Sequence, residues 1–184
     1  KTQADKLRAE ARTKFDATSD KLDAVAIADS MTTEGLRFQS LLTEGAGPAA
    51  TSVIDGKLRL HVGSQPLQWA EGHVAPSALL INDKSSVVLG DVANDIENNQ
   101  PFSYGAWIHL TNDNTAGAIL AKMHDGGDYR GFDLWLEGNR IGTHIIHRWQ
   151  EDALKVVANK PLAKNQWHHV FVTYNGSGTP QGLK

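Results

Sequence analysis

Ser103-Tyr104-Gly105-Ala106-Trp107-Ile108-His109-Leu110 is the stretch whose reading decides the fold. Its period is two. Tyr104, Ala106, Ile108 and Leu110 fall on one side of an extended chain, and Ser103, Gly105, Trp107 and His109 on the other. Both sides carry apolar bulk. That predicts a central strand of a curved sheet, with one face in a core and the other in a concave groove.

The same period runs outward from this strand, which is read as 102–110. Further strands are expected at 53–54, 57–62, 68–69, 78–81, 86–89, 118–123, 131–136, 140–147, 154–157 and 168–174. Between them stand Asp55-Gly56, Asn82-Asp83, Asn112-Asp113-Asn114, Gly126-Gly127, Glu137-Gly138-Asn139 and Asn175-Gly176. Gly and Asn tolerate positive φ, so these are hairpin and loop residues. Many short strands at about ten-residue spacing predict an all-β, antiparallel, two-sheet sandwich.

Residues 1–28 read differently. They contain no Gly or Pro, and Leu7, Ala11, Phe15, Leu22 and Val25 or Ala26 form one stripe at helical spacing. Lys6, Arg8, Glu10, Arg12, Lys14, Asp16, Asp20 and Lys21 occupy the other faces. The reading is a charged amphipathic helix packed on a neighbouring domain. Mixed charge argues against a membrane-surface helix. Residues 29–52 read as a connector, with Gly45-Ala46-Gly47-Pro48 as a breaker cluster. The domain division is therefore helix and connector over 1–35, then a sandwich over 36–184.

Composition bounds the function. The 184 residues contain 40 % hydrophobic and 21 % charged residues, ordinary for a globular domain. The formal charge of −3 argues against a nucleic-acid surface. No apolar run approaches the roughly 18–20 residues that span a bilayer. There is no cysteine, so a disulfide framework, a thiol nucleophile and CxxCH haem attachment are excluded within this segment. The chain opens inside a helical pattern at Lys1 and stops after a turn at Lys184, which reads as a piece of a longer protein.

Four stretches carry a resemblance. They are Val88-Leu89-Gly90-Asp91, Gln100-Pro101-Phe102-Ser103-Tyr104-Gly105-Ala106-Trp107-Ile108, Tyr129-Arg130-Gly131-Phe132-Asp133-Leu134-Trp135-Leu136, and Gln166-Trp167-His168-His169-Val170-Phe171-Val172-Thr173-Tyr174-Asn175-Gly176. In this order they resemble the laminin-G-like module of the concanavalin A-like lectin/glucanase superfamily. The inner stretch from Gly131 to Val156 looks like the module of large secreted planctomycete proteins that also carry a cytochrome-c-like domain. The resemblance implies a jelly roll, here without its last strands, and a periplasmic or secreted location. It also implies a glycan or a protein surface as partner, with neighbouring domains of the same longer chain beside it.

The superfamily includes glycosidases, which place acids on alternate positions of one strand as E-x-D-x-E. Retaining hydrolysis needs two carboxyls about 5 Å apart. The nearest match is Gly131 to Glu137, where Asp133 and Glu137 share a face with Trp135. Gly131 stands at the first Glu position and Trp135 at the middle one, so at most one member of the triad remains and the catalytic pair does not. A diverged hydrolase is thus the weaker alternative to a non-catalytic recognition module. A docking or spacer domain beside redox domains is another. No catalytic residue is assigned. There is no G-x-S-x-G elbow, no phosphate loop and no helical HExxH.

Sugar recognition uses an aromatic ring stacked on the pyranose, with polar groups on its hydroxyls. Trp149, Arg148, Trp135 and Asp133 are the candidate ligand-binding residues, with Trp149 expected to be accessible. Trp107 and Trp167 are expected to be buried. For His144, a cluster with His109 or His169 is open in three dimensions. Laminin-G-like modules often bind calcium through rim carboxylates. Asp83, Asp91, Asp95, Asp113, Asp125 and Asp128 are available, and the turn carrying Asp125 and Asp128 is the preferred site.

Overall fold

The computed structural model describes residues 3–19, 33–62, 66–89 and 95–184. The chain divides into two compact units, Lys1–Leu36 and Arg37–Lys184. In the first, helix α1 spans Gln3–Ser19, with Asp5 in its first turn, where an acid complements the helix dipole. The expected continuation through Leu22, Val25 and Ala26 lies outside the described residues.

The second unit is all β. Its strands are β1 (Phe38–Gln39), β2 (Ala49–Ile54), β3 (Lys57–Val62), β4 (Gln68–Glu71), β5 (Ser77–Leu80), β6 (Pro101–His109), β7 (Gly117–His124), β8 (Arg130–Glu137), β9 (Arg140–Ile146), β10 (Leu154–Val157) and β11 (Trp167–Asn175). Every pairing is antiparallel. The strand orders are β1-β2-β3, β4-β5, β11-β6 and β10-β9-β8-β7.

Two-residue turns set two hairpin registers. Asp55 and Gly56 both hold positive φ (46° and 73°) between the paired Ile54 and Lys57. Gly138 and Asn139 do the same (58° and 60°) between Glu137 and Arg140. This is the turn geometry whose twist matches that of the flanking strands. Asn139 is also buried. Its side chain accepts from the Thr115 amide (2.6 Å) and donates to the Asn112 carbonyl (3.2 Å), tying the turn to the loop before β7.

The sandwich core forms between the β6–β11 pair and the four-stranded sheet. Leu134 and Ile145 face Val172 and Tyr174, and Leu183 completes the buried cluster. Phe132 lies against Phe102 and Tyr104, with ring centroids 5.0 and 4.9 Å apart. One polar link crosses this apolar layer. The Tyr104 hydroxyl donates to the Asp133 carbonyl (3.1 Å), Thr143 Oγ1 donates to the same oxygen (2.7 Å), and the two hydroxyls touch.

The structure corrects several expectations. Residues 86–89 form no strand; the nearby pairing is a single bridge, Asn82 with Ser85. The connector reading hid β1 and most of β2. Trp107 is not buried but 46 % exposed, because the core lies on the Tyr104–Ile108 side of β6.

Candidate functional site

Pairing decides what β8 and β9 place on their outward face. Phe132 pairs with Ile145 and Trp135 with Gly142, which sets Asp133 opposite His144. Phe132, Leu134 and Leu136 point inward, so Asp133 and Trp135 point outward.

Asp133 and His144 form a half-buried pair. The His144 backbone N–H donates to Asp133 Oδ1 at 2.6 Å, and its ring Nδ1 lies 2.9 Å from Oδ2. A carboxylate only accepts, so Nδ1 carries the proton and Nε2 is the acceptor of the neutral ring. Trp135 stacks on His144, with centroids 5.3 Å apart and planes 18° apart. Lys155 Nζ stands 4.9 Å from the Trp135 ring centre, within cation–π range. Trp135 Nε1 is buried and has no hydrogen-bond partner.

Trp149 meets the far edge of His144 at 6.2 Å and Tyr129 at 5.8 Å. Trp149 is 45 % exposed and Tyr129 47 %. The rim loops are strained where they present these rings. Asp128 and Tyr129 both hold left-handed backbone (φ 54° and 55°), and Gln150 holds φ 69°. Asp tolerates that region; Tyr and Gln rarely adopt it. The Trp149 amide donates to the Asp128 carbonyl at 3.0 Å, which locks the two loops together.

Four expected ligand residues therefore divide. Asp133, Trp135 and Trp149 come together around His144, which sequence reading had not placed with them. Arg148 stands at the rim, more than half exposed, and pairs with Glu151 at 2.7 Å. The signal for His144 lay in the Gly138-Asn139 turn. Its two-residue length fixes the register that sets position 144 against 133.

The histidines do not cluster as considered. His144 lies on the outward face of the four-stranded sheet, whereas His109 and His169 lie on that of β6–β11. Asp125 and Asp128 occupy the β7–β8 turn. Asp95 is bound by Arg37, Asp113 by Lys164, and Asp91 lies outside the described residues. Among the described residues no group of three or more His, Asp or Glu side chains is arranged to hold a metal ion.

A family model described as the concanavalin A-like lectin/glucanases superfamily, of laminin-G type, matches residues 82–181. The chain belongs to that family. The sandwich is accordingly a concanavalin A-like, laminin-G-type fold, and membership suggests a carbohydrate- or protein-binding module. No curated protein and no solved structure matches the chain. Among the described residues, no helix of this laminin-G-like module is long and apolar enough to cross a membrane.

Proposed function

We propose that this laminin-G-like chain is a non-catalytic glycan-recognition module of an exported multidomain protein, and that Trp149 is the centre of its site. The observation that carries the reading is the rim itself. Tyr129 is held in a backbone region costly for its residue type, beside a half-exposed Trp149. Strain of this kind persists where surrounding structure enforces it, and it concentrates at ligand sites.

The chemistry follows from the geometry. The face of Trp149 takes the apolar side of a pyranose. His144, oriented by Asp133, offers Nε2 to a sugar hydroxyl. Arg148 and Lys155 add donors at the edges. The Asp133 carboxyl already accepts two N–H groups from His144, which supports a positioning role for it rather than a catalytic one.

Calorimetric titration against a glycan panel tests this. Trp149→Ala should weaken binding about tenfold or more, the loss expected when one stacked ring is removed. Equal affinity in the variant rules out the Trp149 site. A protein that binds no glycan at all would instead support docking of neighbouring domains.

A further inference from the structure

The outward face of the β6–β11 pair carries a continuous band of six rings. Phe171 neighbours His169 (5.9 Å), and His169 stacks on Trp107 (4.9 Å, 29° between planes). Trp107 meets His73 (5.0 Å), His73 stacks on Trp167 (5.8 Å, 16°), and Trp167 meets His109 (5.3 Å). Three imidazoles thus alternate with three carbocyclic or indole rings. All but Trp167 are exposed, Phe171 by 55 %.

Register explains the arrangement. Trp107 pairs with His169, Trp167 with His109, and Phe171 with Gly105. Opposite Phe171 there is no side chain. A Cβ at position 105 would come within 2.7 Å of Phe171 Cδ2, so the phenyl ring lies over the glycine rather than standing off the sheet. His73 arrives from the turn between β4 and β5 and covers the Trp107–Trp167 end. Phe171, His169 and Trp107 remain the open end.

We infer that this band is a second binding site, a stacking platform for an uncharged polysaccharide chain. A contiguous exposed aromatic surface marks a contact site. Half-exposed flat rings suit the C–H faces of successive sugars, and the ring spacings are comparable with the length of one pyranose residue. The nitrogens of His169, set between Phe171 and Trp107, are placed to bond hydroxyls. Charge complementarity narrows the class. The β6 and β11 residues of this face, Ser103 to His109 and Trp167 to Thr173 at alternate positions, include no carboxylate, ammonium or guanidinium. A neutral chain loses no charge pairing there, whereas a uronate or sulfate would be desolvated without a fixed cation. The site is separate from the one around Trp149, on the other side of the core.

Native electrophoresis through gels containing hydroxyethylcellulose, galactomannan or xyloglucan tests the inference, with polygalacturonate as the charged control. At least one neutral polymer should retard the protein. Trp107→Ala and Phe171→Ala should each weaken that retardation about tenfold, while Leu58→Ala, at an exposed position of β3, leaves it unchanged. Phe171→Leu keeps the apolar volume but removes the flat ring, and should weaken it as well. Thermal unfolding of each variant separates lost binding from lost fold. The platform is overturned if no neutral polymer retards the protein, if only polygalacturonate does, or if the folded Phe171→Leu variant migrates as the parent. A dimer that dissociates in Trp107→Ala would assign the band to self-association and overturn it too.

Discussion

Gly142 lies beneath the indole of Trp135. A Cβ at position 142 would come within 2.6 Å of Trp135 Cη2, and closer to other atoms of the same ring. The glycine therefore decides how the tryptophan lies. Gly142→Ala should tilt the ring off its neighbours His144 and Lys155. Overpacking of this kind costs about 1–3 kcal/mol. Urea unfolding and tryptophan emission should both shift; unchanged emission would mean that the ring does not rest on the glycine.

Asp133 satisfies two N–H groups of His144 at once. Asp133→Ala leaves both without their acceptor, and should lower stability by about 2 kcal/mol. Asp133→Asn still offers a carbonyl oxygen and should cost roughly half as much. Equal losses in the two variants would show that the acceptor is not what matters at this position.

Tyr129 gives a prediction that separates stability from binding. Tyr129→Gly frees a backbone held at φ 55° but removes the ring packed on Trp149. Strain relief of about 1 kcal/mol offsets the lost aromatic contact, so the unfolding midpoint should stay nearly constant. Affinity for glycan should still fall. A variant that loses stability and keeps affinity would remove the rim from the site.

The alkaline limb of stability should depend on Tyr104. Burial pushes its hydroxyl up to about 12, with Thr143 opposing and Asp133 reinforcing the shift. The unfolded chain releases this proton near the ordinary value of about 10. Between those values the folded state binds more protons than the unfolded one, so stability falls as pH rises. The contribution is whole below about pH 10 and is lost as pH climbs to about 12, a change of about 3 kcal/mol. Tyr104→Phe should be less stable at neutral pH and should flatten this limb in unfolding measured from pH 9 to 12. A parallel decline in both proteins would place the alkaline sensitivity elsewhere.

Much of this fold could be read from the residues because alternation and turn chemistry agree. Leu154–Val157 is a strand as expected, and Glu137-Gly138-Asn139 turns where positive φ requires it. Reading failed where local signals were weak or two-sided. Phe38–Gln39 is too short to show a period, and the Gly45–Pro48 breakers mask the strand that begins at Ala49. On β6 both sides are apolar, so parity separates the faces without saying which is covered. Packing against Phe132 decides it, and that contact links strands far apart in sequence. The place of His73 between Trp107 and Trp167 depends on where the β4–β5 turn lands, which no nearby residue announces.

The hydroxyl link through the core has a mechanical meaning. Apolar contacts between two sheets are non-directional, and they resist separation better than sliding. Tyr104 and Thr143 converge on one backbone oxygen of Asp133, and a bond with that geometry holds only at one offset of β6 against β8. It acts as a dowel between two plates. Sliding β6 along β8 would break the Tyr104 bonds to the Asp133 carbonyl and to Thr143 at once, so this contact adds a directional resistance that the surrounding apolar packing lacks.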